Sequence, residues 1–200
     1  MRILVTGFDP FGGESINPSM EAVKRLPEKI GNAGILKVEL PTSFARATEK
    51  IQNAIDTYRP DCVLCVGQAG GRHGVSVERV AINLADASIV DNDGELRHDM
   101  PLVKEGKNAY FATLPVGKMV EAVRGKGIPA CISLSAGAFV CNSVFYTCLH
   151  HCEKMGYGAK CGFVHIPYIP EQCVKKGNVP SMALETDIAA LLAILEVIAQ

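Results

Sequence analysis

Hydrophobic and polar positions along the chain switch repeatedly between a strand-like and a helix-like period. The run "RILVTG" (2–7) is short, apolar and closed by glycine, as a buried strand requires. Pro18 suits the first turn of a helix that continues through "SMEAVKRL". "ILKVEL" (35–40) is a strand stopped by Pro41. In "SFARATEKIQNAIDTY" (43–58), apolar residues at 44, 47, 51, 54, 55 and 58 form one helical stripe opened by a serine cap. "DCVLCVG" (61–67) reads as another fully buried strand, and "VSVERVAINLAD" (75–86) as an extended segment or hairpin. The polar loop "DNDGELRHDMP" is followed by "NAYFATLP", a helix over "GKMVEAVRGKG" and the strand "ACISLS" (130–135). From about residue 142, Val144, Phe145, Cys148, Leu149, Cys152 and Met155 share a helical stripe that Gly156 closes. The strand "CGFVHIP" (161–167) and a helix over 181–198 complete the pattern. This alternation predicts an α/β fold, one three-layer α/β/α domain over residues 1–200 with a mostly parallel sheet. Sites in such sheets form at the carboxyl ends of strands.

Composition narrows the classes. Hydrophobic residues make up 48% of the 200 positions and charged ones 20%, which suits a packed core and excludes disorder. The net charge of −1, with no basic run, argues against a nucleic-acid surface. The greasiest stretch, "IAALLAILEVIAQ", is too short for a bilayer and contains Glu196, so no membrane span is expected. "MRILVTG" has no secretory layout, and eight cysteines without one are expected to be reduced thiols of a cytoplasmic protein.

Two glycine motifs follow strands. "GFDPFGG" lacks both the Gly-Lys-Ser/Thr of a phosphate loop and the spacing of a dinucleotide fold. Its phenylalanines suit either a flat apolar ligand or simple core packing. "GQAGGR" (67–72) is either a permissive turn or a loop that brings backbone amides close to a ligand.

The cysteines sort by context. Cys62 and Cys65 have a zinc-like spacing, but both lie inside one apolar run with no matching second pair. Cys148, His150, His151 and Cys152 look like a ligand set on one helix. The two cysteines share the apolar stripe, however, and a metal would need a further segment, so no metal site is expected. Cys131 falls inside a strand, Cys161 at a strand start, and Cys173 in a polar loop. Cys141, in "AGAFVCNSVF", alone follows a strand, sits near glycine and opens a helix. There, free amides and the helix dipole favour a thiolate and can bind an oxyanion. A buried capping-region cysteine is the alternative.

A cysteine nucleophile needs an imidazole. His150 and His151 lie nine and ten residues further along the same helix as Cys141, about 14 Å away at 1.5 Å per residue, which is out of reach. His98 sits in a charged loop, and His73 borders the glycine loop. His165, near a strand end in "FVHIPYIP", is the best candidate base. Glu78 is an acid in an apolar segment and needs a partner: Arg79, Arg72 or His165.

Five ordered blocks, "TGFDPFGG", "GQAGGR", "ERVAIN", "AGAFVCN" and "HIPYIPEQ", resemble the pyroglutamyl peptidase I family from Thr6 to Gln172. The resemblance implies a three-layer sandwich and a cytosolic cysteine peptidase, often a homotetramer, that removes N-terminal L-pyroglutamate from peptides without metal or organic cofactor. By motif, Glu78, Cys141 and His165 become the catalytic triad; the glutamate's role comes from the resemblance alone. Cys141 then attacks the pyroglutamyl–X amide to give a thioester, His165 moves the proton, and Glu78 holds the ring. The lactam needs apolar faces and a few hydrogen bonds, for which Phe8, Phe11, Phe139, Val140 and Gln68 are the expected contacts. Many members carry an arginine after "ERVAINLADA" that assists the oxyanion; here the position is Ser88. Ala138 stands where threonine is common. Two other classes share the layered fold. One is a small-molecule enzyme of the purine-phosphorylase kind, which would survive alkylation of Cys141. The other is a binding protein without turnover.

Overall fold

The computed structural model describes residues 1–200. Its strands are β1 (Arg2–Phe8), β2 (Lys29–Ile30), β3 (Ala33–Leu40), β4 (Cys62–Gln68), β5 (Val75–Glu78), β6 (Val80–Ile82), β7 (Ala109–Phe111), β8 (Ala130–Ser133) and β9 (Lys160–Ile166). Its helices are α1 (Pro18–Lys24), α2 (Phe44–Tyr58), α3 (Val116–Gly125), α4 (Val140–Met155), α5 (Pro170–Cys173) and α6 (Leu184–Ile198). Seven strands form one sheet in the order β2-β3-β1-β4-β9-β5-β8, while β6 and β7 make a separate ribbon.

The pairing of β3, β1, β4 and β9 is parallel, as the apolar runs require, because helices cover both faces. Every residue of β4 is buried. Alternate side chains enter two cores: Cys62, Leu64 and Val66 face α1, α3 and α6, whereas Val63 and Cys65 face α2 and α4. The expected three layers are therefore present. Helix ends follow local chemistry. Asn17 accepts a hydrogen bond from the Ser19 amide ahead of Pro18, Ser43 caps α2 through the Arg46 amide, and Gly156 ends α4 at φ 64°. Gly7 is needed because a Cβ there would stand 2.6 Å from the α1 backbone at Met20.

Two features depart from the sequence pattern. The segment 75–86 divides at Arg79: β5 joins the main sheet and β6 leaves it. β5 also runs antiparallel to β9, with β8 parallel to β5, so this edge of the sheet is reversed. α4 begins at Val140 rather than near 142, which puts Cys141 in its first turn. No helix is long and apolar enough to cross a membrane.

Candidate active site

The site forms where α4 starts above the carboxyl ends of β4 and β9. These strands run in register with Gly67 opposite His165. A Cβ on Gly67 would lie 3.0 Å from Sγ of Cys141 and 2.8 Å from the Phe163 ring. The bare backbone thus makes room for the sulfur beside the strand that carries the imidazole. Glu78 stands opposite Phe163 in the antiparallel β5–β9 pairing, so it projects to the same face as His165, two residues on. A parallel β5 would have placed this acid elsewhere. Its reversal, not the carboxyl-end rule, delivers it.

His165 Nδ1 lies 2.7 Å from Oε1 of Glu78. The same oxygen accepts a 2.6 Å bond from Arg72, whose guanidinium also donates to the Ser135 carbonyl at 3.1 Å. Arg72 and His165, both weighed as partners for Glu78, therefore share it; Arg79 does not contact it. Oε2 of Glu78 has no hydrogen-bond partner by geometry; the Ser133 hydroxyl, close enough to favour the carboxylate, donates to the Ser135 carbonyl. With Nδ1–H bound to the carboxylate, Nε2 is left unprotonated and available as a base.

Charge follows burial and these partners. Burial pushes the Glu78 carboxyl up, but its bonds and charge interaction with His165 and Arg72 outweigh that and leave it below its ordinary range. Burial holds the His165 imidazole below its ordinary value against the opposing pull of Glu78. The Cys141 thiol is pushed up to about 12 by burial, then by the Glu78 charge, with Arg72 and its own amide acting the other way. Burial thus acts against the thiolate that the helix start favours, and against protonation of the imidazole. Three amides at the start of α4 have no partner inside the helix, and Ser143 makes the first intrahelical bond, to Phe139, at 3.1 Å. Free amides of this kind suit the binding of negative charge beside Cys141.

The expected ligand contacts divide. Phe11 and Phe139 are half-buried and lie 6.2 Å apart between ring centroids, with Phe44 edge-on to Phe139 at 5.3 Å. Phe8 and Val140 are 2% and 0% exposed, so they form floor beneath the site rather than open faces. Gln68, at the end of β4, accepts a 2.8 Å bond from the side-chain amide of Gln172. That fixes the Gln68 oxygen and leaves its NH2 group free to donate. Ser88 is exposed.

Several supporting residues escaped the sequence reading. Asn142 spans α4 and β6 through the Ile82 N–H and the Ile82 and Leu84 carbonyls, locking the turn that carries Cys141. Its place beside the cysteine was the available signal. Gln172 lay inside a quoted motif but was given no role of its own. Asp91 accepts bonds from the amides of Phe44, Asp93 and Glu95, and Asn92 ties to Asp9 and Pro10. The start of the 91–110 loop is therefore pinned against the phenylalanine-bearing "GFDPFGG" turn. The largest cleft, about 1060 Å³, lies at the opposite end of the strands and contains none of the expected site residues.

A family model described as pyroglutamyl peptidase matches residues 1–200. The chain is 52% identical over 185 residues to the pyrrolidone-carboxylate peptidase of Clostridium botulinum, covering 92% of this chain and 87% of that one. It is 50% identical over 196 residues to that of Enterococcus faecalis, covering 98% and 92%. Among solved structures, pyroglutamyl peptidase I from Bacillus amyloliquefaciens matches with a TM-score of 0.95 at 42% identity, over 100% of this chain and 95% of that one.

Proposed function

The chain belongs to the pyroglutamyl peptidase family and is a cysteine peptidase that removes N-terminal pyroglutamate; on that premise we propose that Cys141 is its nucleophile, His165 its acid–base and Glu78 the residue that orients the imidazole. The observation that carries the assignment is the buried 2.7 Å His165–Glu78 bond on the strand beside the Cys141 sulfur.

His165 Nε2 takes the thiol proton as Sγ of Cys141 attacks the carbonyl carbon of the pyroglutamyl–X amide. Burial disfavours charge on both groups, which supports proton transfer in step with attack. The amides at the start of α4 bind the resulting oxyanion; with Ser88 exposed, this chain draws the donors from backbone. The imidazolium then protonates the departing amine, leaving a thioester. Water, deprotonated by His165, attacks that thioester, releases pyroglutamate and returns the proton to sulfur. Throughout, Glu78 keeps Nδ1 protonated and stabilises the transient positive ring.

The lactam has no charged amine, so recognition rests on shape and neutral hydrogen bonds. Phe11 and Phe139 supply ring faces over the floor made by Phe8 and Val140, and the free amide hydrogens of Gln68 suit the lactam carbonyl. We further place the chain in the cytoplasm, a reading supported by eight unpaired cysteines. We read it as one subunit of a homotetramer, for which exposed Phe111, Leu134 and Val174 offer apolar contact surface; light scattering checks this.

The decisive experiment compares wild type and Cys141→Ala for release of a chromogenic amine from its pyroglutamyl amide, with and without reductant. We expect at least roughly 10⁴-fold loss in the variant, with unchanged circular dichroism. Full turnover by Cys141→Ala would remove the mechanism and favour a small-molecule enzyme that does not use this thiol.

A further inference from the structure

The far end of the same two elements holds a second group of sulfurs. Cys148 and Cys152 occupy successive turns of α4, and Cys161 is the second residue of β9. Their three Sγ atoms lie within 4.8 Å of one another, with 3.5 Å between Cys152 and Cys161. All three side chains are buried, at 0%, 6% and 0% exposure. The helix alone offered an incomplete ligand set; the fold supplies the third sulfur from a neighbouring strand. The adjacent histidines take no part, since His150 Nδ1 faces the Tyr110 hydroxyl at 3.0 Å and His151 Nε2 faces Asp56 at 2.9 Å.

We infer that Cys148, Cys152 and Cys161 form a binding site for a soft monovalent cation, Cu(I), held by three sulfurs. A metal–thiolate bond of about 2.3 Å puts trigonal sulfurs about 4 Å apart, inside the range these atoms span. The side-chain donor set is sulfur only. A closed zinc site asks for a fourth ligand in tetrahedral array, whereas Cu(I) is selected by soft thiolates alone. An entry path exists: Cys152 and Cys161 line a cleft of about 670 Å³, together with Tyr110, Leu149, Gly158 and Lys160.

On binding, Cu(I) replaces two of the three thiol protons, which pass to solvent. The third cysteine coordinates as a thiol, copper stays monovalent, and no electron moves. The complex carries one net negative charge, so affinity rises with pH. Occupancy staples α4 to β9. Cys148 and Cys152 lie seven and eleven residues from Cys141 along α4, roughly 10–16 Å at the helical rise, so the copper stands clear of the reacting sulfur.

The test uses a variant in which Cys131, Cys141 and Cys173, the thiols with accessible surface, are replaced by serine. It is titrated anaerobically with Cu(I) buffered by a competing chelator. We expect one Cu(I) per chain, the luminescence of a solvent-shielded cuprous thiolate, and a three-coordinate, sulfur-only shell by X-ray absorption. Adding Cys152→Ser or Cys161→Ser should weaken retention by more than the roughly tenfold that even an outer partner of a ligand is worth. Absence of copper uptake, or uptake unchanged by either substitution, overturns the site. Equal or tighter Zn(II) binding with a tetrahedral shell that includes Cys65, which neighbours Cys148, overturns the cuprous assignment. Should either serine variant fail to fold, the absorption spectrum of the starting variant reports the ligand number on its own.

Discussion

The two ends of α4 and β9 both gather cysteine, and they do opposite things with it. Near the start of α4 a single sulfur lies over Gly67, on the strand next to the one that carries His165 and its bond to Glu78; at the other end three sulfurs lie within 4.8 Å of one another. Burial pushes Cys141 up to about 12, and Cys148 is raised as well by hydrogen bonds it donates to Cys152, Cys161 and Cys65. Cys161, although a bond from Cys148 lowers it, is raised by the bond it donates to Cys152 and by burial. A shifted thiol therefore does not distinguish the reactive end. What sets that end apart is the His165–Glu78 pair, which on the proposed roles supplies the base that takes the thiol's proton. Sulfurs without a base are suited to packing or to a soft ion.

The largest effect that would break this contrast is expected at Glu78. Glu78→Gln keeps the shape but removes the anion that fixes the ring, and kcat should fall by roughly 10²–10⁴-fold with the fold intact. Wild-type turnover would return Glu78 to an ion pair with Arg72. Next comes Gly67→Ala, whose methyl would crowd Cys141 Sγ and the Phe163 ring; we expect kcat/KM to drop by roughly 10²-fold. Cys148→Ala at the other end should leave kcat within about twofold while lowering stability by about 1 kcal/mol, measured by denaturant unfolding. Equal losses from the two substitutions would erase the difference between the ends.

Protonation sharpens the comparison further. His165 must be neutral to accept the proton, and burial lowers its pKa, so kcat/KM should fall only as pH drops through a value below 6.5. Alkylation of Cys141 by iodoacetamide requires the thiolate, and with the thiol near 12 its rate should climb about tenfold per unit from about pH 6 to about pH 9. A plateau in alkylation that follows the acid limb of activity would mean a resting thiolate–imidazolium pair instead.

The smallest effect separates two buried carboxylates. Glu78 has partners and is held low. Asp187, near the start of α6, is fully buried with neither oxygen bonded, and burial raises it to about 8. Unfolded, such a group ionises near 3.9, so the stability it leaves intact at lower pH is lost progressively from about pH 4 to about pH 8. Asp187→Asn removes that slope. Thermal melts should differ little at about pH 4 and by about 5–10 °C in favour of the variant at about pH 8. A constant difference across that range would mean that Asp187 does not titrate there.

Much of the architecture was legible in periodicity, because a strand covered on both faces must read as an apolar run and an amphipathic helix as a stripe. The runs at 2–7, 61–67 and 161–167 became β1, β4 and β9, and the stripe at 43–58 became α2 with its Ser43 cap. Within the site, Cys141 and His165 could be reached by elimination, since each stands at a junction between elements. Glu78 could not: "VSVERVAIN" reads as one extended piece, and nothing local says that it breaks at Arg79 or that β5 runs against β9. The second segment for the Cys148–Cys152 pair was likewise invisible, as were the roles of Gln172 and Asp91. Local pattern determined which stretches are strands and helices, because side-chain period and capping act over a few residues. Only the folded chain decided strand direction and long-range neighbours, because those follow from packing against partners that can lie more than a hundred residues away, as with Gln172 and Gln68.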